Sequence, residues 1–297
     1  MKKQIKKILI TGKNSYIGES VKSWLTKKNP EYQVEEICLR SQEWLKEDFS
    51  KYDVVFHVAG IAHSDIKETS PEQKKYYYKI NTTLTETVAK KAKAEGVKQF
   101  IYMSSMIVFG ASAPLGTEKI ITSTTEPRPL NYYGDSKLQA EIILNSLKTE
   151  RFKVVIIRPP MVYGRNSKGN YPRLSQFAKR FPVFPKVVNS RSIIHIDNLS
   201  EFIRLMILNE EAGIFHPQNA ELTSTSELVK TIAIINKKKI VLTRFFNPFL
   251  LILSRIHPLI NKVFGSMAYE LSMSEYNQNY RVHDLVNSIE ITELYEK

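Results

Sequence analysis

The stretch ILITGKNSYIG, residues 8–18, decides the predicted fold of the first half of this chain. An apolar run leads into Gly12, and a helical pattern begins at Gly18. In a strand–turn–helix of this type, the first glycine permits a tight bend and the last lets the helix pack closely on the strand. Ser15 holds the middle position, where glycine is usual, and its hydroxyl can cap the helix. The helix N-terminus then offers backbone N–H groups to a phosphate, although this motif alone is a weak signal.

Short apolar runs alternate with helical patterns over the first half of the chain. The predicted strands cover residues 6–11, 33–39, 53–58, 99–104 and 153–158, and the predicted helices cover residues 18–27, 71–95 and 134–147. Near-continuous apolar strands separated by helices indicate a parallel sheet covered on both faces. We therefore predict an α/β fold: a Rossmann-like doubly wound parallel sheet with a smaller C-terminal substrate-binding lobe.

The regular alternation ends near residue 163. Prolines at positions 172, 182, 185 and 217 indicate a looser second lobe. We predict a dinucleotide-binding Rossmann domain over residues 1–163, with its sheet completed by a return strand near residues 192–196. Residues 164–297 are then mainly a substrate-binding lobe.

Composition limits the class of protein. The 297 residues are 42% hydrophobic and 25% charged, which is typical of a soluble globular chain. The single cysteine, Cys38, excludes an internal disulfide and fits a reducing cytoplasm. The net charge of +13 favours an acidic partner, such as a nucleotide, a phosphorylated substrate or an anionic membrane surface. The lysines are scattered and not interleaved with aromatic residues, so we predict no nucleic-acid partner. The opening MKKQIKKILITG is predicted to be a first strand and not a secretion signal, because its apolar part is too short.

The end of the second strand indicates which dinucleotide binds. In NAD sites an acidic residue stands there, about 20 residues beyond the turn, and binds the adenosine ribose. Arg40, followed by Ser41, occupies that place. Arginine suits the 2′-phosphate of NADP, and Lys13 in the turn could add a second positive charge. We therefore favour NADP(H), with NAD(H) possible and Arg40 as a solvated surface residue the alternative.

Ser105, Tyr133 and Lys137 form the predicted chemical group. Ser105 follows the fourth strand, at the sheet edge where doubly wound folds bind ligands. Tyr133 and Lys137 are four residues apart and share one helix face. An ammonium near a phenol lowers the phenol's pKa from about 10, so this tyrosine could exchange a proton with a carbinol while hydride moves to or from nicotinamide. Ser105 would hold the substrate oxygen, and Lys137 would reach the nicotinamide ribose.

Seven ordered segments resemble the extended short-chain dehydrogenase/reductase family that works on nucleotide sugars, often called the NAD-dependent epimerase/dehydratase family. They are ILITGKNSYIG, DVVFHVAG, FIYMSSMIVFG, YYGDSKLQAE, IIRPPMVYG, RSIIHIDNLSEFI and GIFHPQN. The resemblance implies catalytic roles for Ser105, Tyr133 and Lys137. The residues implied or predicted to bind the cofactor are Gly12, Lys13, Ser15, Tyr16, Ile17, Gly18, Arg40, Ala59, Tyr133 and Lys137.

Departures from the family pattern reduce the number of reactions that fit this chain. Family dehydratases carry an acidic pair directly after the serine or threonine, but Met106 and Ile107 stand there. Family epimerases keep NAD bound and usually have the acidic residue that Arg40 replaces. The later segments most resemble UDP-sugar 4-ketoreductases of capsule and O-antigen synthesis, which implies NADPH-dependent reduction of a UDP-4-keto-6-deoxy-N-acetylhexosamine. A UDP-hexose or UDP-N-acetylhexosamine 4-epimerase with tightly bound NAD is the first alternative, and a non-catalytic dinucleotide-binding scaffold is the second.

Asn170 and Arg191 are the predicted substrate-binding residues, because the family pattern places them near the nucleotide diphosphate of a UDP-sugar. Arg191 in a surface ion pair is the alternative. Further cations nearby, which the sequence does not rank, are Arg165, Lys168 and Arg173. We predict that His57 and His195 are packed histidines and that there is no metal site, and that Asn81 holds backbone near the site.

The remaining predictions concern the oligomeric state and the location of the protein. In the family, helices near residues 72–95 and 134–148 commonly form a dimer interface, which implies a homodimer. The apolar segment 244–268 is too broken for a spanning helix. It is either a cap over the substrate lobe or a basic amphipathic element on a membrane. The predicted location is therefore the cytoplasm, with peripheral membrane contact as an option.

Overall fold

The computed structural model describes residues 5–28, 30–62 and 70–294. The described residues form twelve strands: β1 Lys6–Thr11, β2 Tyr32–Ile37, β3 Val54–His57, β4 Gln99–Met103, β5 Ile120–Ile121, β6 Lys153–Ile157, β7 Met161–Tyr163, β8 Val183–Pro185, β9 Ile193–His195, β10 Gly213–Phe215, β11 Val241–Thr243 and β12 Ala268–Tyr269. The helices are α1 Tyr16–Lys28, α2 Pro71–Tyr77, α3 Leu84–Ala94, α4 Tyr132–Leu147, α5 Asn170–Arg180, α6 Ile196–Leu208, α7 Thr225–Ile235, α8 Asn247–Ile256, α9 Pro258–Phe264 and α10 Leu285–Leu294.

The central sheet is parallel, with six strands in the order β10-β6-β4-β3-β1-β2. Its middle strands are buried throughout, as the apolar runs VVFH and QFIYM predict. One face packs Phe100 and Val55 against Val88 and Ala89 of α3 and Leu144 of α4. The predicted doubly wound α/β fold is therefore confirmed, and the five predicted strands agree with the structure to within two residues at each end.

The predicted return strand is wrong as an element of the central sheet. Residues 193–195 do form a strand, but β9 pairs with β7 in a separate two-stranded sheet. The sheet is instead extended by β10, which lies parallel to β6. The reason is packing: Ile193 is fully buried within a second core, together with Tyr163 and Leu228.

The chain divides into two compact units that are not contiguous in sequence. The first unit comprises Met1–Gly110, Glu126–Pro159 and Ser200–His216. The second unit comprises Ala111–Thr125, Pro160–Leu199 and Pro217–Lys297. The second unit contains three short parallel strand pairs, β5 with β12, β7 with β9 and β8 with β11. Among the described residues, no helix is both long and apolar enough to cross a membrane.

Candidate active site

The turn after β1 has the geometry that its glycines predict. Gly12 has φ +97°, a conformation that residues with a Cβ rarely adopt. A Cβ at this position would lie only 3.0 Å from the backbone nitrogen of Ala59. The backbone nitrogens of Gly12 and Lys13 both donate to the carbonyl of Ile37, at 3.1 and 3.2 Å. The turn is thereby tied to the ends of β2 and β3.

Ser15 and Gly18 shape the start of α1. The Ser15 hydroxyl accepts a hydrogen bond from the backbone nitrogen of Gly18 at 3.2 Å, so it caps the helix as expected. A Cβ on Gly18 would lie 3.2 Å from Ile10 and 3.3 Å from Val58, which shows how closely the helix packs on the strands. A narrow turn that leads into a helix N-terminus fits a pyrophosphate. The residues present therefore fit a dinucleotide.

Arg40 lies three residues beyond the end of β2 and is exposed. Within the described part of the chain, it forms no ion pair with a carboxylate. Lys13 is also exposed. The acidic side chain that binds the ribose in NAD sites is absent from this position.

Ser105 stands two residues beyond the end of β4, with an extended backbone. Its hydroxyl caps a 3-10 helix, Met106–Phe109, by accepting a hydrogen bond from Ile107 N at 3.3 Å. Met106 N donates to the carbonyl of Pro159 at 2.9 Å, which fixes this loop beside the end of β6. The serine is thus held at the carboxyl edge of the sheet, where the sequence predicts it.

Tyr133 lies in the first turn of α4. Asn131 caps this helix, because its side chain accepts from Gly134 N at 2.8 Å. A Cβ on Gly134 would lie 2.9 Å from the carbonyl oxygen of Ile107, so only glycine allows the helix to approach the Ser105 loop this closely. Burial raises the pKa of Tyr133 to about 12, and a hydrogen bond with Ser105 opposes that rise.

Lys137 is 5% exposed, one turn after Tyr133. Its Nζ donates to the carbonyl of Met103 at 2.9 Å and lies 4.7 Å from the centre of the Tyr102 ring. Burial lowers the pKa of Lys137 to about 8, and Glu141 opposes that shift. The expectation that Lys137 lowers the pKa of Tyr133 is therefore wrong for this structure, because the ammonium is directed to the strand carbonyl and not to the phenol.

The loop after β3 joins the phosphate turn to Lys137. A Cβ on Gly60 would lie 3.1 Å from Lys137 Nζ and 3.0 Å from Asn81 Oδ1. Asn81 accepts from Ile61 N at 2.9 Å and donates to Ile61 O at 3.0 Å, so it holds this backbone as expected. Asn81 lies in a π-helical turn, Tyr78–Thr83, between α2 and α3. Such turns are frequent at functional sites, and the sequence pattern did not reveal this one.

A buried ion pair beside the site was missed by sequence reasoning. The guanidinium of Arg158, just past β6, donates to both carboxylate oxygens of Glu141 at 2.6–3.1 Å, and both residues are buried. Ser104, which precedes Ser105, also donates to Glu141. The available signal was the position of Glu141, four residues after Lys137 on the same helix face.

Asn170 and Arg191 line one cavity in the second unit, and Arg173 joins them. Arg165 and Lys168 are exposed and are not among its lining residues. The remaining lining residues are Met161, Leu174, Ile193, Thr223, Thr225, Leu228, Leu259, Lys262 and Val263.

Arg191 is anchored by backbone and not by a carboxylate. Its Nη1 donates to the carbonyls of Lys262, Val263 and Gly265 at 3.0–3.1 Å. These carbonyls lie at the C-terminal end of α9, where a cation is favourable. Burial lowers the pKa of Arg191 from its ordinary value. Among the described residues it forms no ion pair, so the alternative of a surface ion pair is not what the structure shows.

The two histidines singled out in the sequence are packed, as expected. His57 is fully buried between the hydroxyls of Thr11 and Thr85, and burial lowers its pKa to about 3. His195 is also buried, but the structure brings it close to Asp197 and His283. Asp197 Oδ2 lies 3.2 Å from His283 Nε2 and 3.9 Å from His195 Nδ1. The prediction of no metal site did not anticipate this group, because His283 is distant in sequence.

The comparisons with known proteins agree with this geometry. The sequence model of the NAD dependent epimerase/dehydratase family matches residues 8–216. The UDP-glucose 4-epimerase of Vibrio cholerae is 31% identical over 258 residues, which are 78% of this chain and 76% of that protein. A relative from Escherichia coli O157:H7, N-acetyl-alpha-D-glucosaminyl-diphospho-ditrans,octacis-undecaprenol 4-epimerase, is 32% identical over 182 residues. Those residues are 59% of this chain and 51% of that relative.

A solved structure supports the fold. The UDP-glucuronic acid 4-epimerase of Bacillus cereus, in complex with NAD, matches with a TM-score of 0.73 and 19% identity, covering 96% of this chain and 95% of the other. At this identity the likeness shows the fold alone. The family match, in contrast, covers more than half of the chain. This chain belongs to the NAD dependent epimerase/dehydratase family and is an NAD(P)-dependent nucleotide-sugar enzyme.

Proposed function

We propose that the protein reduces the 4-keto group of a UDP-4-keto-6-deoxy-N-acetylhexosamine with NADPH, for surface polysaccharide synthesis. The observation that carries the proposal is the arrangement of Ser105, Tyr133 and Lys137 at the carboxyl edge of the sheet. Met106 and Ile107 follow the serine, so the acidic pair that family dehydratases use is absent.

The protonated state of Tyr133 suits the role of proton donor in a reduction. With a pKa of about 12, its phenol carries a proton at neutral pH and can donate it to a ketone oxygen. Ser105 would hold the same oxygen by a hydrogen bond. When bound, a nicotinamide cofactor supplies the hydride. Lys137, with a pKa of about 8, is a buried ammonium at neutral pH, and we propose that it binds the nicotinamide ribose.

Arg40 and Lys13 support the choice of NADPH. Both side chains are exposed, and Arg40 occupies the place of the acidic residue that binds the ribose in NAD sites. A guanidinium forms charge-assisted hydrogen bonds to phosphate oxygens. We propose that Arg40 binds the 2′-phosphate and that the turn from Gly12 to Gly18 binds the pyrophosphate.

The cavity in the second unit is proposed to bind the UDP part of the substrate. Arg191 and Arg173 bring two guanidinium groups to its lining, and Asn170 adds an amide. Arg191 is held by three carbonyls through Nη1, so its orientation is fixed before a ligand arrives. A fixed guanidinium suits a diphosphate, because little side-chain entropy is lost on binding.

The test mixes the purified protein with UDP-4-keto-6-deoxy-N-acetylglucosamine and follows the absorbance of NADPH and, separately, of NADH. We expect stoichiometric oxidation of NADPH, slower oxidation of NADH and a rate at least about a hundredfold lower in Tyr133→Phe. Tyr132→Phe is the matched control, because it removes the neighbouring phenol and should retain activity. If neither nucleotide is oxidised, the proposed reduction is wrong.

A 4-epimerase is the second candidate. The observation in its favour is that both relatives described above are named 4-epimerases. An epimerase would be purified with NAD bound and would interconvert two sugars without added reductant. Detection of bound NAD by denaturation and mass spectrometry, together with epimerisation of UDP-N-acetylglucosamine, would favour this function over net reduction.

A further inference from the structure

Helix α8 carries apolar side chains on the face directed away from its own unit. It packs inward through Asn247, Leu250 and Ser254. On the outer side, Phe249 and Ile252 are each 61% exposed and Ile256 is 69% exposed. A helix on the surface of a soluble protein usually presents charged or polar residues on that side, so this helix departs from the expected pattern.

The exposed residues form a continuous stripe. At about 100° per residue, Phe249, Ile252, Leu253 and Ile256 fall within an arc of about 100° around the helix axis. Phe245 precedes the stripe along the chain, and Leu259 on α9 follows it. We name these six side chains the α8 surface: Phe245, Phe249, Ile252, Leu253, Ile256 and Leu259.

The charged side chains within residues 228–269 all have one sign. The sequence contains no aspartate or glutamate between Glu227 and Glu270. Three exposed cations accompany the stripe: Arg244 before α8, Arg255 beside Ile252 and Ile256 on the helix, and Lys262 on α9. An apolar helix face with basic residues at its edge and ends is the composition of an element that lies in the interface of an anionic bilayer.

We propose that the α8 surface binds an anionic lipid bilayer. The positive charge argues for this occupant over a second copy of the chain, because a symmetric contact through the same surface would place like charges together. Leu259 belongs to the α8 surface and also lines the cavity of the second unit. Membrane binding would therefore bring the rim of that cavity to the lipid headgroups.

The test is sedimentation of the full chain with vesicles of phosphatidylcholine, alone or with about a quarter of phosphatidylglycerol. We expect the wild-type protein to bind the anionic vesicles and to be released by high salt. Ile252→Glu/Ile256→Glu should weaken binding by about tenfold or more. Val286→Glu/Leu294→Glu, which places the same two charges at exposed apolar positions of α10, should bind like the wild type.

Three further measurements test the contribution of the cations, loss of folding and self-association. Arg244→Gln/Arg255→Gln keeps the apolar stripe and should weaken binding to anionic vesicles by about fivefold per cation. Equal thermal midpoints among the variants would exclude loss of folding. The proposal fails if the wild type does not bind anionic vesicles, or if the Glu variant binds as well as the wild type. It also fails if sedimentation velocity shows a wild-type dimer that the Glu variant dissolves, since the α8 surface would then join two copies.

Discussion

The candidate active site and the cavity of the second unit are built in different ways. In the first unit, Tyr133 and Lys137 are one helical turn apart, and Asn131 caps the helix that carries them. In the second unit, Asn170, Arg191 and Lys262 come from segments far apart in sequence. The chemical groups are therefore positioned by local geometry, whereas the cavity depends on long-range packing. The reaction type is consequently easier to read from sequence than the substrate.

Tyr133→Phe should produce the largest effect. Removal of one hydroxyl in the first unit takes away the proposed proton donor, so kcat should fall by roughly 10²–10⁴-fold. The thermal midpoint should stay close to that of the wild type, because the hydrogen bond that is lost, with Ser105, contributes only about 1 kcal/mol. Steady-state kinetics with NADPH and calorimetry provide the two values. If the variant keeps the wild-type kcat, Tyr133 is not the proton donor.

Glu141→Leu tests how the ends of β4 and β6 are held. This change leaves the Arg158 guanidinium buried without its carboxylate, which destabilises a protein by about 3–5 kcal/mol. The double variant Glu141→Leu/Arg158→Met should recover part of that loss, because it removes both charges. Denaturant unfolding measures both variants. Equal stability of the single and double variants would contradict a coupled pair.

Arg191→Met tests the cavity of the second unit. Loss of the hydrogen bonds to the carbonyls at the end of α9, and of one cation in the cavity, should raise KM for the UDP-sugar by about 10–100-fold with a smaller change in kcat. Arg165→Met is the matched control, because Arg165 is exposed and lies outside the cavity lining. A similar KM for both variants would remove the proposed role of Arg191.

The free energy of unfolding should decrease at acidic pH, because histidines in both units are neutral in the folded protein. Burial lowers the pKa of His57 to about 3 and the pKa values of His195 and His216 to about 4. The unfolded chain takes up protons near pH 6.5 while the folded chain does not. Stability is therefore fully present above about pH 6.5 and decreases as the pH falls toward 4, by about 2 kcal/mol in total between pH 7 and pH 6. Thermal midpoints that do not change between pH 7 and pH 6 would contradict the neutral state of these histidines in the folded protein.

Arg40→Ser should have the smallest effect. Loss of one charge-assisted contact should raise KM for NADPH by about tenfold and leave KM for NADH nearly unchanged. Arg151→Ser, an exposed arginine far along the chain, is the control. If KM for NADPH does not change, Arg40 is a solvated surface residue.

The sequence predicted what depends on local geometry. The turn at Gly12, the cap at Ser15 and the pairing of Tyr133 with Lys137 on one helix face all follow from short spacings. It did not predict β10, because three residues carry too little pattern to distinguish a strand from a loop. It also did not predict that Lys137 points to the Met103 carbonyl, because that direction depends on packing against β4. The anchoring of Arg191 by α9 depends on contacts between segments far apart along the chain.

The central claim is hydride transfer to C4 of the sugar, with Tyr133 as proton donor. The most direct test supplies NADPH deuterated at nicotinamide C4 on the transferring face, together with UDP-4-keto-6-deoxy-N-acetylglucosamine, and examines the product by NMR. We predict one deuterium at sugar C4, and incorporation at least about a hundredfold slower in Tyr133→Phe. A product without deuterium at C4, or no product while NAD remains bound to the protein, would contradict the claim.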